Sequence, residues 1–207
     1  FNDVLAAVDG SGGGTVTFDC GTATIAFTHY KQVANAVIVD GGGTITIDGG
    51  GASGFFQSFA SASLTLKNLT LQHGTFAEAH ALENFGVMTL DHVRVLSSTG
   101  SDTLLMNFGT VAVIASTFAN NTVASGQGGA IGNFGTLATI EASTFLANTA
   151  MQGGAIYSAA MLDVVNSTFS ANAGTSGGGA IYSVADATVS FSTFAGNSGT
   201  FGAGVYN

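Results

Sequence analysis

A unit of about 25 residues repeats from Gly128 to Asn207, and that period restricts the fold more than any other feature of the chain. Gly128-Gly129-Ala130-Ile131 returns as Gly153-Gly154-Ala155-Ile156 and as Gly178-Gly179-Ala180-Ile181, then in degraded form as Gly202-Ala203-Gly204-Val205. Between these copies run Phe118-Ala119-Asn120-Asn121, Phe145-Leu146-Ala147-Asn148, Phe169-Ser170-Ala171-Asn172 and Phe194-Ala195-Gly196-Asn197, each reading F-x-x-N. A coil this short cannot bury the faces of its strands alone, but it can when stacked on near-identical neighbours at the ~4.8 Å strand spacing.

The register can be followed residue by residue. Three inward columns are expected to stay apolar. They are Leu82, Leu105, Ile131, Ile156, Ile181 and Val205; Leu66, Leu90, Val113, Ile140, Val164 and Val189; and Leu71, Val95, Phe118, Phe145, Phe169 and Phe194. Asn121, Asn148, Asn172 and Asn197 form a polar column in which each amide can bond the amide one coil away. Such Asn residues also suit left-handed corners. A second small-polar column holds Asn84, Asn107, Asn133, Ser158, Ser183 and Asn207, and Thr117, Thr144, Thr168 and Thr193 alternate outward. Three short strands per coil, joined by Gly, Asn and Ser corners, predict an all-β, right-handed parallel β-helix of about eight coils.

Recurrent GGA[ILV] and FxxN tetrapeptides in fixed phase resemble the repeats of the polymorphic outer membrane proteins, over about residues 81–207. Those proteins are surface adhesins with a pectin-lyase-like β-helix passenger. The earlier part, including Thr44-Ile45-Thr46-Ile47-Asp48-Gly49-Gly50, resembles the N-terminal half of secreted bacterial β-helix proteins. The resemblance implies a secreted or cell-surface location and leaves a carbohydrate or host-surface ligand open.

The chain reads as one domain: an N-terminal cap over 1–14, irregular coils over 15–80 and regular repeats over 81–207. Charged residues are 7 % of the chain and only Lys31, Lys67 and Arg94 are basic, giving a net charge of −9. Such a balance excludes a nucleic-acid backbone binder. No apolar run approaches the ~18 residues of a membrane helix, so no membrane insertion is expected. A surface of Thr, Ser, Asn, Gly and Ala carries little charge to keep copies apart.

At the start, Asn2 is the expected N-cap of a short helix, with Asp3 in its first turn and Val4, Leu5 and Val8 on one face closing the solenoid. Asp9 to Gly14 reads as a corner, followed by strands over Thr15–Asp19, Thr24–Thr28 and Val37–Asp40. Asp40-Gly41-Gly42-Gly43 and Asp48-Gly49-Gly50-Gly51 invite a calcium reading, but they lack the oxygen ligands of a calcium loop and fit strand corners better. Lys67 and Asp91 fall on neighbouring coils and could pair. Gln72 to Ala81 reads as a loop leaving the coil, and the lone Cys20 as a small buried residue.

The densest ionisable set is His73, Glu78, His80 and Glu83, a weak metal or acid–base candidate against the background of a solvated loop. No cofactor is expected. A pectate-lyase-like, polysaccharide-cleaving alternative would rest on Arg94, with Asp102 nearby. An ice-binding alternative would rest on the threonine column. Asn68, Asn120 and Asn166 lie in N-glycosylation patterns.

Gly204, Val205, Tyr206 and Asn207 begin a coil that nothing after them completes. Either the chain was cut from a longer protein or another copy covers this end. The second case predicts a homo-oligomer, with this edge meeting Val4, Leu5 and Val8 of the next copy head to tail, and hence a filament. The expected function is a non-enzymatic structural or adhesive solenoid.

Overall fold

The computed structural model describes residues 1–76 and 80–207. Among these, one helix, α1 (Asn2–Gly10), precedes a parallel β-solenoid whose strands form sheets of 13, 8 and 6 members. The eight-stranded sheet takes one strand from each turn, from Lys31–Val33 to Val205–Tyr206, so it counts eight coils. The strands pair in parallel with their copies one coil away.

The three apolar columns hold register throughout. Leu82, Leu105, Ile131, Ile156, Ile181 and Val205 are successive partners, as are Leu66, Leu90, Val113, Ile140, Val164 and Val189. In the third column Leu71 and Val95 lead into Phe118, Phe145, Phe169 and Phe194. These four rings stack nearly face to face, with centroids 5.3, 4.8 and 4.9 Å apart and planes within 6° of parallel. Each such pair adds roughly 0.5–1.5 kcal/mol beyond burial.

Polar ladders run beside the apolar columns. Asn121 Nδ2 donates to Asn148 Oδ1 at 2.9 Å, Asn148 to Asn172 at 3.0 Å and Asn172 to Asn197 at 2.9 Å. Each of these oxygens also accepts the backbone N–H of the Asn below it. A second chain links Ser58, Asn84, Asn107, Asn133 and Ser158. A third uses serine: the backbone N–H groups of Ser116, Ser143 and Ser167 donate to the hydroxyls of Ser143, Ser167 and Ser192, each at 3.1 Å. Among the described residues no buried side-chain polar atom lacks a partner.

The corners differ from the sequence expectation in one respect. The ladder asparagines are not themselves left-handed. The residue before each one is: Asn120, Ala147, Ala171 and Gly196, with His73 and Ser97 in the same column. A second left-handed column holds Asn68, His92, Ala115, Ala142, Asn166 and Phe191. This column breaks what would be one strand into two, so a regular coil carries four short strands rather than three: Leu105–Asn107, Thr110–Ile114, Thr117–Ala119 and Thr122–Val123. Lower down, Ala36–Asp48, Ser63–Gln72 and Val87–Leu96 bridge the same bend unbroken. At the Gly-Gly corners no side chain fits. A Cβ on Gly128 or Gly153 would lie 2.0 Å from the carbonyl oxygen of Ile131 or Ile156, and both glycines have positive φ.

The N-terminal region departs furthest from expectation. Phe1, not Asn2, is the N-cap, and it makes no side-chain cap bond. Its ring instead packs on Phe18 and Phe27 at 5.6 and 5.5 Å, so aromatic contact fixes where the helix begins. The helix runs through Asp9, whose carboxylate accepts the backbone N–H groups of Ala34 and Asn35. Leu5 is buried and Val8 packs against the core, whereas Val4 points away and is 53 % exposed. The first strands are Gly13–Thr17 and Ala23–Ala26, and Ala36–Asp48 passes straight through the expected Asp40 corner. There Gly41 to Thr44 face the single residue Asn68, a bulge that absorbs the extra length. Thr75–Phe76, inside the expected loop, is a strand paired with Thr99–Gly100.

Two substitutions test this account. Asn148→Ala removes both ladder bonds and leaves the buried Asn121 N–H unpaired, so urea unfolding should give a loss of about 2–4 kcal/mol, while Thr144→Ala on the outer face should cost under about 1 kcal/mol. Phe191 is left-handed, which bulky residues rarely tolerate, and 89 % exposed. Phe191→Asn should therefore raise the melting temperature, by a stabilisation of up to about 1 kcal/mol.

Candidate functional site

The two Asp-Gly-Gly-Gly segments explain themselves locally. Asp40 accepts the N–H of Gly42 at 3.0 Å and the amide of Asn68 at 3.0 Å, and lies 3.9 Å from Lys67 Nζ. Asp48 accepts the N–H of Gly50 at 2.8 Å and the amide of Gln72 at 2.8 Å, with His73 Nδ1 at 3.2 Å. Each carboxylate closes a turn onto its own glycine and ties it to the coil above. The side-chain amides of Asn68 and Gln72, foremost among these contacts, hold both carboxyls below the usual range. Lys67 thus pairs with Asp40. Asp91, in register with Lys67 on the other side, bonds His92 at 2.6 Å instead.

The ionisable set between His73 and Glu83 is dispersed. His73 faces Asp48 beside a shallow groove that Thr75, Ser97 and Thr99 also line. His80 Nδ1 lies 3.0 Å from the carbonyl oxygen of Thr103. Glu83 accepts a bond from Gln57, which in turn accepts from Gln32 at 2.8 Å. Glu78 lies outside the described residues. Among the described residues no three His, Cys, Asp or Glu side chains gather as metal ligands would.

Arg94 projects outward from Val87–Leu96, in register with Thr70 below and Thr117 above. Asp102 is exposed and accepts the N–H of Thr103. The threonine column is longer than the four coils legible in the repeat. It runs Thr24, Thr46, Thr70, Arg94, Thr117, Thr144, Thr168 and Thr193, so one arginine interrupts seven threonines. Asn68, Asn120 and Asn166 each occupy a left-handed corner with φ of 51°, 58° and 50°, and that backbone role accounts for Asn there. Cys20 is exposed rather than buried, in the turn between Gly13–Thr17 and Ala23–Ala26.

One surface was not anticipated. Phe59, Phe85, Phe108, Phe134, Ala159 and Val184 succeed one another at the same corner, just past the eight-stranded sheet. The backbone N–H of each from Phe85 upward bonds the coil below. Phe85 and Phe108 stack at 5.2 Å, and Phe108 and Phe134 sit at 6.2 Å. Phe134 then leans over the bare Gly132 to meet Tyr157 at 5.3 Å, and Tyr157, Tyr182 and Tyr206 continue upward. The signal was present as Asn84-Phe85-Gly86, Asn107-Phe108-Gly109 and Asn133-Phe134-Gly135. The glycine in each lets the coils approach, since a Cβ on Gly109 would lie 2.0 Å from the Gly86 carbonyl oxygen.

Searches against protein-family models, curated proteins and solved structures return no match to this chain.

The depressed carboxyls make the lower coils acid-sensitive. Their stabilisation is fully present above the ordinary Asp value of about 3.9 and is lost as pH falls through the lower folded value. Gln72→Ala and Asn68→Gly should each move the partner carboxyl back up toward that ordinary value in an NMR titration. Each should also reduce the dependence of stability on pH below about 4.

Proposed function

We propose that this chain is a non-enzymatic structural or adhesive β-solenoid of the secreted or cell-surface kind, which stacks end to end. The observation that carries the reading is the register of the columns, which holds from coil to coil up to Val205 and Tyr206. Any layer that continues the stack, a further coil of the same polypeptide or a second copy, meets the same apolar pattern of Val205, Tyr206 and Phe201. The opposite end is covered by α1, whose Leu5 is already buried under its own coil. Contact there would fall on Val4 and the helix surface. The resemblance of the GGA[ILV] and FxxN repeats to surface adhesins supports the same reading, as does the scarcity of charge.

Negative-stain electron microscopy and light scattering over a concentration series test it. The expected outcome is rods that lengthen with concentration, and Val205→Asp should shorten them to single solenoids by placing a charge on this apolar layer. Uniform single rods at every concentration would remove the reading. The extended threonine column favours an ice-binding alternative, for which thermal hysteresis that vanishes in Thr144→Val/Thr168→Val would be the deciding result.

A further inference from the structure

The unanticipated aromatic corner belongs to a wider apolar stripe. Two residues along the coil from Phe85, Phe108 and Ala159, and three from Phe134, come Val87, Thr110, Met161 and Leu137, which are partners of one another in the large sheet. Phe59, Phe85 and Phe108 are 40, 39 and 44 % exposed, and Val87 and Met161 are 47 and 60 % exposed. The segments that build the stripe, Asn84–Leu90, Asn107–Ile114, Asn133–Ile140 and Ser158–Leu162, contain no charged residue, in a protein whose net charge is −9, and the stripe ends one coil above Met161, where Asp186 takes the next place in the column. Contiguous apolar surface of this kind marks an interaction site more often than scattered exposed side chains do.

We propose that this stripe is where two copies of the chain lie side by side. Three features select a second copy as the occupant. An acidic protein repels its own kind least across an uncharged face, and between Phe85 and Met161 this stripe carries no charged side chain, Asp186 bounding it above. The side chains form ridges one coil apart, a spacing of ~4.8 Å that another solenoid of the same coil matches over several ridges. With aromatic side chains burying roughly 150–250 Å² each when fully covered, the exposed parts of the stripe amount to about 500 Å² per copy. Pairing two stripes buries about 1,000 Å², the lower bound of a specific interface and consistent with a weak dimer. A two-fold arrangement closes on itself and adds thickness, not length.

Sedimentation and small-angle X-ray scattering of the whole chain between about 10 μM and 1 mM test this, in the affinity range such an area allows. The expected result is a dimer with an enlarged cross-section and unchanged length, present equally in Val205→Asp, which separates it from end-to-end stacking. Phe108→Ser and, on the adjoining column, Val87→Ser/Met161→Ser should each weaken dimerisation at least tenfold. All these positions are already exposed, so the melting temperature should hold within a few degrees, and the second variant carries the test if the first unfolds. A monomer throughout the range would overturn the proposal, as would a dimer indifferent to both variants or a doubling of length. So would a monomer that binds a soluble glucan through Phe108.

Discussion

Each coil rests on a near-copy of itself, and the backbone hydrogen bonds between coils can form only if side chains above and below are compatible at every step. The strand spacing of ~4.8 Å forces like onto like: rings onto rings, branched aliphatics onto branched aliphatics, amides onto amides. An inward column that changed character in one coil would leave a cavity or an unpaired polar group shared by two neighbours. The repeat is thus a consequence of the stacking geometry. The columns Leu82 to Ile181 and Leu71 to Phe169 stay apolar because any exception would be felt on both sides.

Polar groups inside this stack serve the same constraint. The Asn121–Asn197 ladder joins each coil to the next through side-chain and backbone donors at once, beside the left-handed corner where the regular strand ladder stops. The Ser116–Ser192 ladder does so at the next bend. Bends take positive φ, and in the regular upper coils positive φ interrupts the strands. A buried side-chain oxygen then accepts the N–H that the interruption leaves free. The outer surface is under no such demand, so its columns vary: seven threonines around Arg94, glutamines giving way to tyrosines, and phenylalanines that cluster at one corner.

Much of this was legible in the residues. The phase of GGA[ILV] and FxxN gave the inward columns and the Asn ladder because burial leaves few alternatives at those positions. The lower third was harder. Asp40-Gly41-Gly42-Gly43 looked like a corner but is a bulge, because only the partner strand, with Asn68 alone opposite, decides how four residues are taken up. Lys67 had two acidic neighbours in register, and side-chain reach selected Asp40 over Asp91. His73, His80 and Glu83 are close in sequence yet bond Asp48, Thr103 and Gln57, because successive bends turn them toward different coils.

The amino-acid order by itself determined that the chain stacks, how many coils it makes and which side chains face inward, since the period and the hydrophobic alternation admit one solution. Tertiary structure alone decided what lies across the coils on the outside. Phe59, Phe85, Phe108 and Val184 are 23 to 125 residues from one another in the chain and become one surface only when winding sets each corner above the last. Outward positions are under weaker packing constraint, so their periodicity is only partial, as in the three copies of Asn-Phe-Gly, and the extent of the surface emerges only once the register is known.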